Sequence, residues 1–121
     1  MEEWNKGLMA HLGIRIVETT PDKVVGELQV RDELKTTTSA VHGGTLMAFA
    51  DTIGAVGTAA QGFKTATLES KTNFFAAATG GKLRAESTAL HKGKRSHVWQ
   101  TRITDESGRL LSLTIQTQMI L

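Results

Sequence analysis

The hydrophobic pattern is plainest at the end of the chain. From Arg109 to Leu121, Leu111, Leu113, Ile115, Thr117, Met119 and Leu121 alternate with Ser112, Thr114, Gln116 and Gln118. A period of two puts each set on its own face, as in a half-buried strand. Lys82 to His91 and Lys94 to Asp105 read as a strand pair linked through Lys92-Gly93, and Thr65 to Phe74 reads as another strand. Ala76 to Gly81 is a turn or short bulge, and Asp105 to Gly108 a turn. Ile14 to Thr19 and Lys23 to Arg31 are two strands joined at Pro21-Asp22. Trp4, Leu8 and Leu12 fall at helical spacing, which predicts a short amphipathic helix over residues 2–12, ended by Gly13.

The pattern changes between Gly44 and Gln61, which predicts one long helix of about 18 residues, or about 27 Å. Gly44, Ala48, Ala55 and Ala59 allow close backbone approach, while Leu46, Met47, Phe49, Ile53 and Val56 lie on other sides. A helix apolar nearly all round is a buried one. These elements predict an α+β domain spanning residues 1–121: one long central helix wrapped by a curved, mainly antiparallel sheet of five to six strands.

Composition narrows the function classes. A chain of 121 residues suits one compact domain. The formal charge of +2 makes no case for nucleic acid. Without cysteine there are no disulfides, thiolate metal sites or cysteine nucleophiles, which fits a reducing, cytoplasmic setting. Met1 to Gly7 has two glutamates and no long apolar run, so it is not read as a secretory signal. The longest weakly charged stretch, Gly43 to Gln61, carries Asp51 at its centre, so no membrane span is expected. The four histidines lack ligand spacing, so no metal is expected.

Candidate chemistry gathers in Val41 to Asp51. His42-Gly43-Gly44 sits where a polar loop enters the long helix. The first turn of a helix has unpaired N–H groups and partial positive charge, and glycine lets another molecule approach them. Such a turn can hold an oxyanion; it can also simply let the chain bend into the helix. Asp51 is the only Asp, Glu, Lys or Arg between His42 and Lys64. A carboxylate inside a buried helix is costly unless hydrogen-bonded, paired or functional. It lies eight residues after Gly43, a rise of roughly 12 Å. An Asp side chain cannot span that gap. If both groups act on one substrate they come from different subunits, which implies an obligate dimer.

The Val41-His42-Gly43-Gly44 run, with an acid nine positions after the histidine on a small-residue helix, resembles the hotdog-fold thioesterases of the phenylacetate-pathway and 4-hydroxybenzoyl-CoA type. The resemblance continues through Thr67 to Phe74. Leu90 to Arg95, Val98 to Gln100 and Asp105 to Arg109 look most like the 1,4-dihydroxy-2-naphthoyl-CoA thioesterase branch. It covers nearly all of the chain from about Leu12.

The resemblance implies a hotdog fold and hydrolysis of an acyl-CoA, with coenzyme A as part of the substrate and no separate cofactor. It implies Gly43 as the oxyanion-hole amide and Asp51 as the carboxylate that acts as general base or nucleophile. His42 would orient the loop or bond near the thioester, and Thr67 would help hold the water or simply face the core. Lys94 and Arg95, with Lys92, would contact the phosphates of coenzyme A, and Arg84 is a further candidate. Relatives often have Asn or Gln where Thr36 stands, six residues before His42, and Asn73 sits on a strand next to the expected acyl pocket. The assembly implied is a homodimer at least, and a homotetramer as in many relatives. Two other functions compete: an acyl-CoA-binding module without catalysis, and a hydratase or dehydratase acting on acyl thioesters.

Overall fold

The computed structural model describes residues 4–121. In chain order the elements are α1 (Gly7–Leu12), β1 (Arg15–Thr20), β2 (Lys23–Gln29), a 3-10 turn (Asp32–Leu34), α2 (Gly43–Ala59), β3 (Thr65–Phe74), β4 (Lys82–Lys92), β5 (Ser96–Thr104) and β6 (Leu110–Ile120). The six strands form one sheet in the order β1-β2-β4-β5-β6-β3, and every neighbouring pair is antiparallel. The chain leaves α2 and enters β3 at the far edge, so β3 pairs only with β6. No helix among the described residues is long and apolar enough to cross a membrane.

α2 packs on β2 through β6. Phe49, Ala50 and Ile53 of α2 are fully buried against Val24 and Leu28 of β2, Leu83 and Ala85 of β4, Ile103 of β5 and Leu111 of β6. Burial of apolar side chains of this size contributes roughly 1.5–3 kcal/mol each. The core explains why one long helix suffices: it closes the concave face of the sheet.

Three expectations need correction. The first helix spans Gly7–Leu12, and residues 2 and 3 of the expected 2–12 span lie outside the described part. Its buried residues are Met9 and Leu12, whereas Leu8 is 59% exposed. Second, α2 is not buried all round. Gly44 and Met47 are exposed, and Ala48, Asp51, Thr52, Ala55 and Ala59 are only half-buried. The small residues thus form a stripe that the described residues leave partly open to solvent.

The third concerns β6. Alternation holds from Ser112 on, but Leu111, expected on one face with Leu113 and Ile115, is buried in the core. Ser112, Thr114, Gln116 and Gln118 are fully buried against the helix side, while Ile115, Met119 and Leu121 are exposed. A buried amide is stable only with partners, and α2 provides them. Gln116 Nε2 donates to the carbonyls of Ala50 and Asp51, at 3.2 Å each. Its Oε1 accepts from Thr101 Oγ1 at 3.0 Å, and Thr101 bonds to Ser87. Gly54 makes room, since a Cβ there would overlap the Gln116 amide.

Candidate active site

The loop into α2 is closed by its own hydrogen bonds. Lys35 and Val41 form a bridge, and Thr36 N–H donates to Ala40 O at 2.7 Å. The Thr36 hydroxyl is within hydrogen-bonding distance of the amide and hydroxyl of Thr38, at 3.1 and 2.9 Å, so it shapes the turn. His42 caps the helix: its Nδ1 accepts from Gly44 N–H at 2.7 Å. Nδ1 is therefore unprotonated, and the neutral ring carries its proton on Nε2. Gly43, the first helical residue, keeps a free N–H among the described residues. It lines a hollow of about 390 Å³ with Val41, Leu46, Phe74, Phe75 and Ala78. The Phe74 ring lies 3.2 Å from where a Gly43 Cβ would sit. The free amide, the positive helix end and the absent side chain together form a place for a partly negative oxygen.

Asp51 opens into a different hollow, of about 280 Å³, with Met47, Ala48, Thr67 and Ser70. Here β3 carries a bulge. Thr67 pairs with Gln118 and Glu69 with Thr117, leaving Leu68 as the extra residue. Bulges re-aim side chains. Thr67 Oγ1 donates to Asp51 Oδ1 at 2.5 Å. Thr67 in turn accepts from Gln118 Nε2 at 2.8 Å, and Gln118 Oε1 accepts from Thr65 Oγ1 at 3.0 Å. Ser70 Oγ is buried and has no partner among the described residues, so the same hollow holds a hydroxyl with bonding capacity to spare.

The basic residues lie in the β4–β5 connection. Lys92 Nζ is engaged by Asp22 at 2.8 Å and by Pro21 O at 3.1 Å. Lys94 and Arg95 are exposed and make no ion pair among the described residues. Arg95 O accepts from Ile120 N–H, and Leu121 N–H donates to Lys64 O, each at 2.9 Å. This places the turn beside the start of β3, on the Thr67 side of the molecule. Arg84 pairs with Glu86 at 3.6 Å, on the other side of the sheet order. Asn73 is exposed, in register with Leu113.

The structure thus brings Asp51 and Thr67 together, and His42 to Gly43 and Gly44. It holds Lys94 and Arg95 apart from both hollows. Gln116, Gln118 and Ser70 were not singled out from sequence. One signal was available: the polar face of β6 holds only hydroxyls and amides, whereas outward positions such as Arg84, Glu86 and Arg102 are charged.

A second buried polar group lies near the end of α2. Thr58 Oγ1 accepts from Trp99 Nε1 at 3.0 Å and is 3.0 Å from His97 Nδ1. Burial of its ring, aided by the charges of Lys92 and His91, holds His97 below the ordinary imidazole pKa.

A curved antiparallel sheet closed by one helix, with a bare amide at the helix start and a held carboxylate about two turns on, defines a hotdog-fold enzyme. Comparison with known proteins makes the class specific. The thioesterase superfamily profile matches residues 38–112. The 1,4-dihydroxy-2-naphthoyl-CoA hydrolase of Listeria monocytogenes is 31% identical over 112 residues, 89% of this chain and 90% of that protein. The Escherichia coli protein of the same name is 32% identical over 117 residues, 94% and 86% of the two chains. A hypothetical thioesterase of Streptococcus pneumoniae, solved with coenzyme A, shares the fold at a TM-score of 0.93 and 21% identity, covering 100% of this chain and 96% of its own. The chain belongs to the thioesterase superfamily, and it is a thioester hydrolase.

Proposed function

We propose that the protein hydrolyses an aryl- or medium-chain acyl-CoA to free acid and coenzyme A, in sites shared between two subunits. The observation that carries this is the separation of Asp51 and Gly43 into two hollows on one chain. A second copy with its α2 antiparallel brings each Asp51 to the other's Gly43. The stripe of exposed Gly44 and half-buried Ala48, Ala55 and Ala59 lets two helices approach closely, and the edge of β3 not paired with β6 lies alongside. The outer apolar residues of β6 offer a further surface, through which dimers form a tetramer.

In this site the Gly43 N–H polarises the thioester carbonyl and holds the oxyanion that forms. Asp51 takes a proton from attacking water, or attacks the carbonyl itself to give a mixed anhydride that water then hydrolyses, and in both cases the coenzyme A thiolate leaves when the tetrahedral intermediate collapses. Thr67 occupies Oδ1, so Oδ2 is the oxygen left for that work. Lys94 and Arg95 meet the nucleotide phosphates, and Lys92, tied to Asp22, contributes less. The names of the relatives support a coenzyme A ester as substrate. The lack of cysteine fits action in the cytoplasm.

A panel of acyl-CoAs with a thiol reagent tests the reading. Release of free thiol by the wild type, lost in Asp51→Asn, is the expected result. Binding without turnover means a sensor, a change in enoyl absorbance means hydration, and near wild-type turnover by Asp51→Asn ends the mechanism.

A further inference from the structure

We propose that Gln118 is a positioning residue that keeps the Thr67 hydroxyl pointed at Asp51, and so decides which carboxylate oxygen is free to react. This rests on Asp51 being the reactive carboxylate, as set out above.

The argument is a count of protons. An ionised carboxylate only accepts, so the short Thr67–Asp51 bond needs the Thr67 proton. Thr67 then has only lone pairs to offer the Gln118 amide. If Oε1 faced Thr67, acceptor would meet acceptor, so Nε2 faces it, at 2.8 Å. The opposite end of the amide faces Thr65, whose single hydroxyl proton is shared between Oε1, at 3.0 Å, and Met119 O, at 2.8 Å. Every group in the row Thr65, Gln118, Thr67, Asp51 then has one consistent direction of donation. A second feature of the same strand holds the backbone of Asp51: the Gln116 amide bonds its carbonyl at 3.2 Å.

Gln118 is fully buried, and both ends of its amide are hydrogen-bonded. Its amide provides direction. Without it, the Thr67 hydroxyl can rotate, and its proton divides its time between Asp51 and other acceptors. Asp51 then loses a fixed bond at Oδ1, and its carboxylate is free to turn. The polar inner face of β6 is thus tied to the carboxylate by two amides, one acting on its backbone and one on its side chain.

The test uses Gln118→Leu, Thr67→Val and the double variant in the whole protein. Gln118→Leu should lower kcat about tenfold, the scale of one hydrogen bond to a charged group, with KM within about twofold. Because Gln118 acts through Thr67, the double variant should match Thr67→Val within about twofold. Losses that multiply would assign Gln118 to packing and overturn the proposal, as would a Gln118→Leu enzyme with wild-type kcat. If Gln118→Leu folds poorly, Gln118→Met is read in its place, and activity lost only in proportion to folded protein also overturns it. Asp51→Asn separates the two levels. A dead Asp51→Asn beside an unaffected Gln118→Leu removes only the role of Gln118, whereas an active Asp51→Asn removes the mechanism beneath it.

Discussion

Asp51 and Gly43 stand eight residues apart on one helix and open into different hollows. The relationship is testable by mixing subunits. Gly43→Pro removes the free N–H at a helix position where proline is tolerated, and the extended backbone of His42 before it, at φ −63° and ψ 135°, suits a following proline. Asp51→Asn and Gly43→Pro homodimers should each be inactive. After random exchange, about half the dimers carry one chain of each kind, with one repaired site in two, so about one quarter of wild-type activity should return. A mixed dimer shown to form, yet dead in the thiol-release assay, would count against the shared site.

Truncating Thr67 should cost less than changing the carboxylate. Loss of a general base costs on the order of 10²–10⁴ in rate. Thr67→Ala removes only the group that orients Asp51, so kcat should fall by about tenfold, with KM little changed. Steady-state kinetics on one good acyl-CoA substrate decides it, and equal losses in Thr67→Ala and Asp51→Asn would give Thr67 a chemical role of its own.

Neutralising Lys94 and Arg95 together should raise KM for acyl-CoA by about tenfold or more and leave kcat within about twofold, since these contacts serve ground and transition states alike. A short thioester lacking the nucleotide should be unaffected. Lys92→Gln should raise KM less, because Lys92 is already bound to Asp22 and Pro21. Comparable losses on both substrates would mean that the turn does not read the nucleotide.

Strand β3 was legible from sequence to the residue, Thr65 to Phe74, because its flanks, Gly62 and the Ala76–Gly81 run, interrupt the pattern clearly. The orientation of β6 was not. Alternation fixes which residues share a face, not which face meets the core, and hydropathy points the wrong way where a helix offers backbone carbonyls instead of side chains. Gly54 is the reason: only against a bare helix backbone can the Gln116 amide reach Ala50 O and Asp51 O. The open stripe on α2 was hidden for a related reason. Ala and Gly read as apolar whether they face a sheet or solvent. Thr67 next to Asp51 depends on a one-residue bulge, which strand periodicity does not mark.

His97 should make stability depend on pH on the acid side. Unfolded, its ring titrates near the ordinary value of 6.5, and burial lowers it in the folded protein. Between those two values the unfolded chain binds the extra proton, so stability is complete above about 6.5 and declines as pH falls through that interval, by at most about 1.4 kcal/mol per pH unit. His97→Asn, which keeps an acceptor for Thr58, should flatten the slope. Urea unfolding of both proteins from pH 5 to 8 measures it; parallel curves would place the dependence elsewhere.

Gly57→Ala should destabilise, against the usual helix preference for alanine. A Cβ there would sit 2.5 Å from Trp99 Cζ2, and the Trp99 ring is fully buried with its N–H committed to Thr58. Overpacking of this kind costs about 1–3 kcal/mol, more than the roughly 1 kcal/mol gained from helix propensity. Thermal or urea unfolding gives the answer directly, and a variant as stable as the wild type would show that Trp99 can move.

The surplus residue at Leu68 has a bearing on solubility. A free sheet edge is an open template for stray strands and so a starting point for aggregation. On either side of Leu68 the phase of β3 differs: Thr65 and Thr67 face the helix before it, and Ser70 and Thr72 after it. A chance strand with plain alternation can match one half of this edge and must miss the other. The irregularity that aims one hydroxyl at a carboxylate therefore also makes this edge a poor template for a regularly alternating strand.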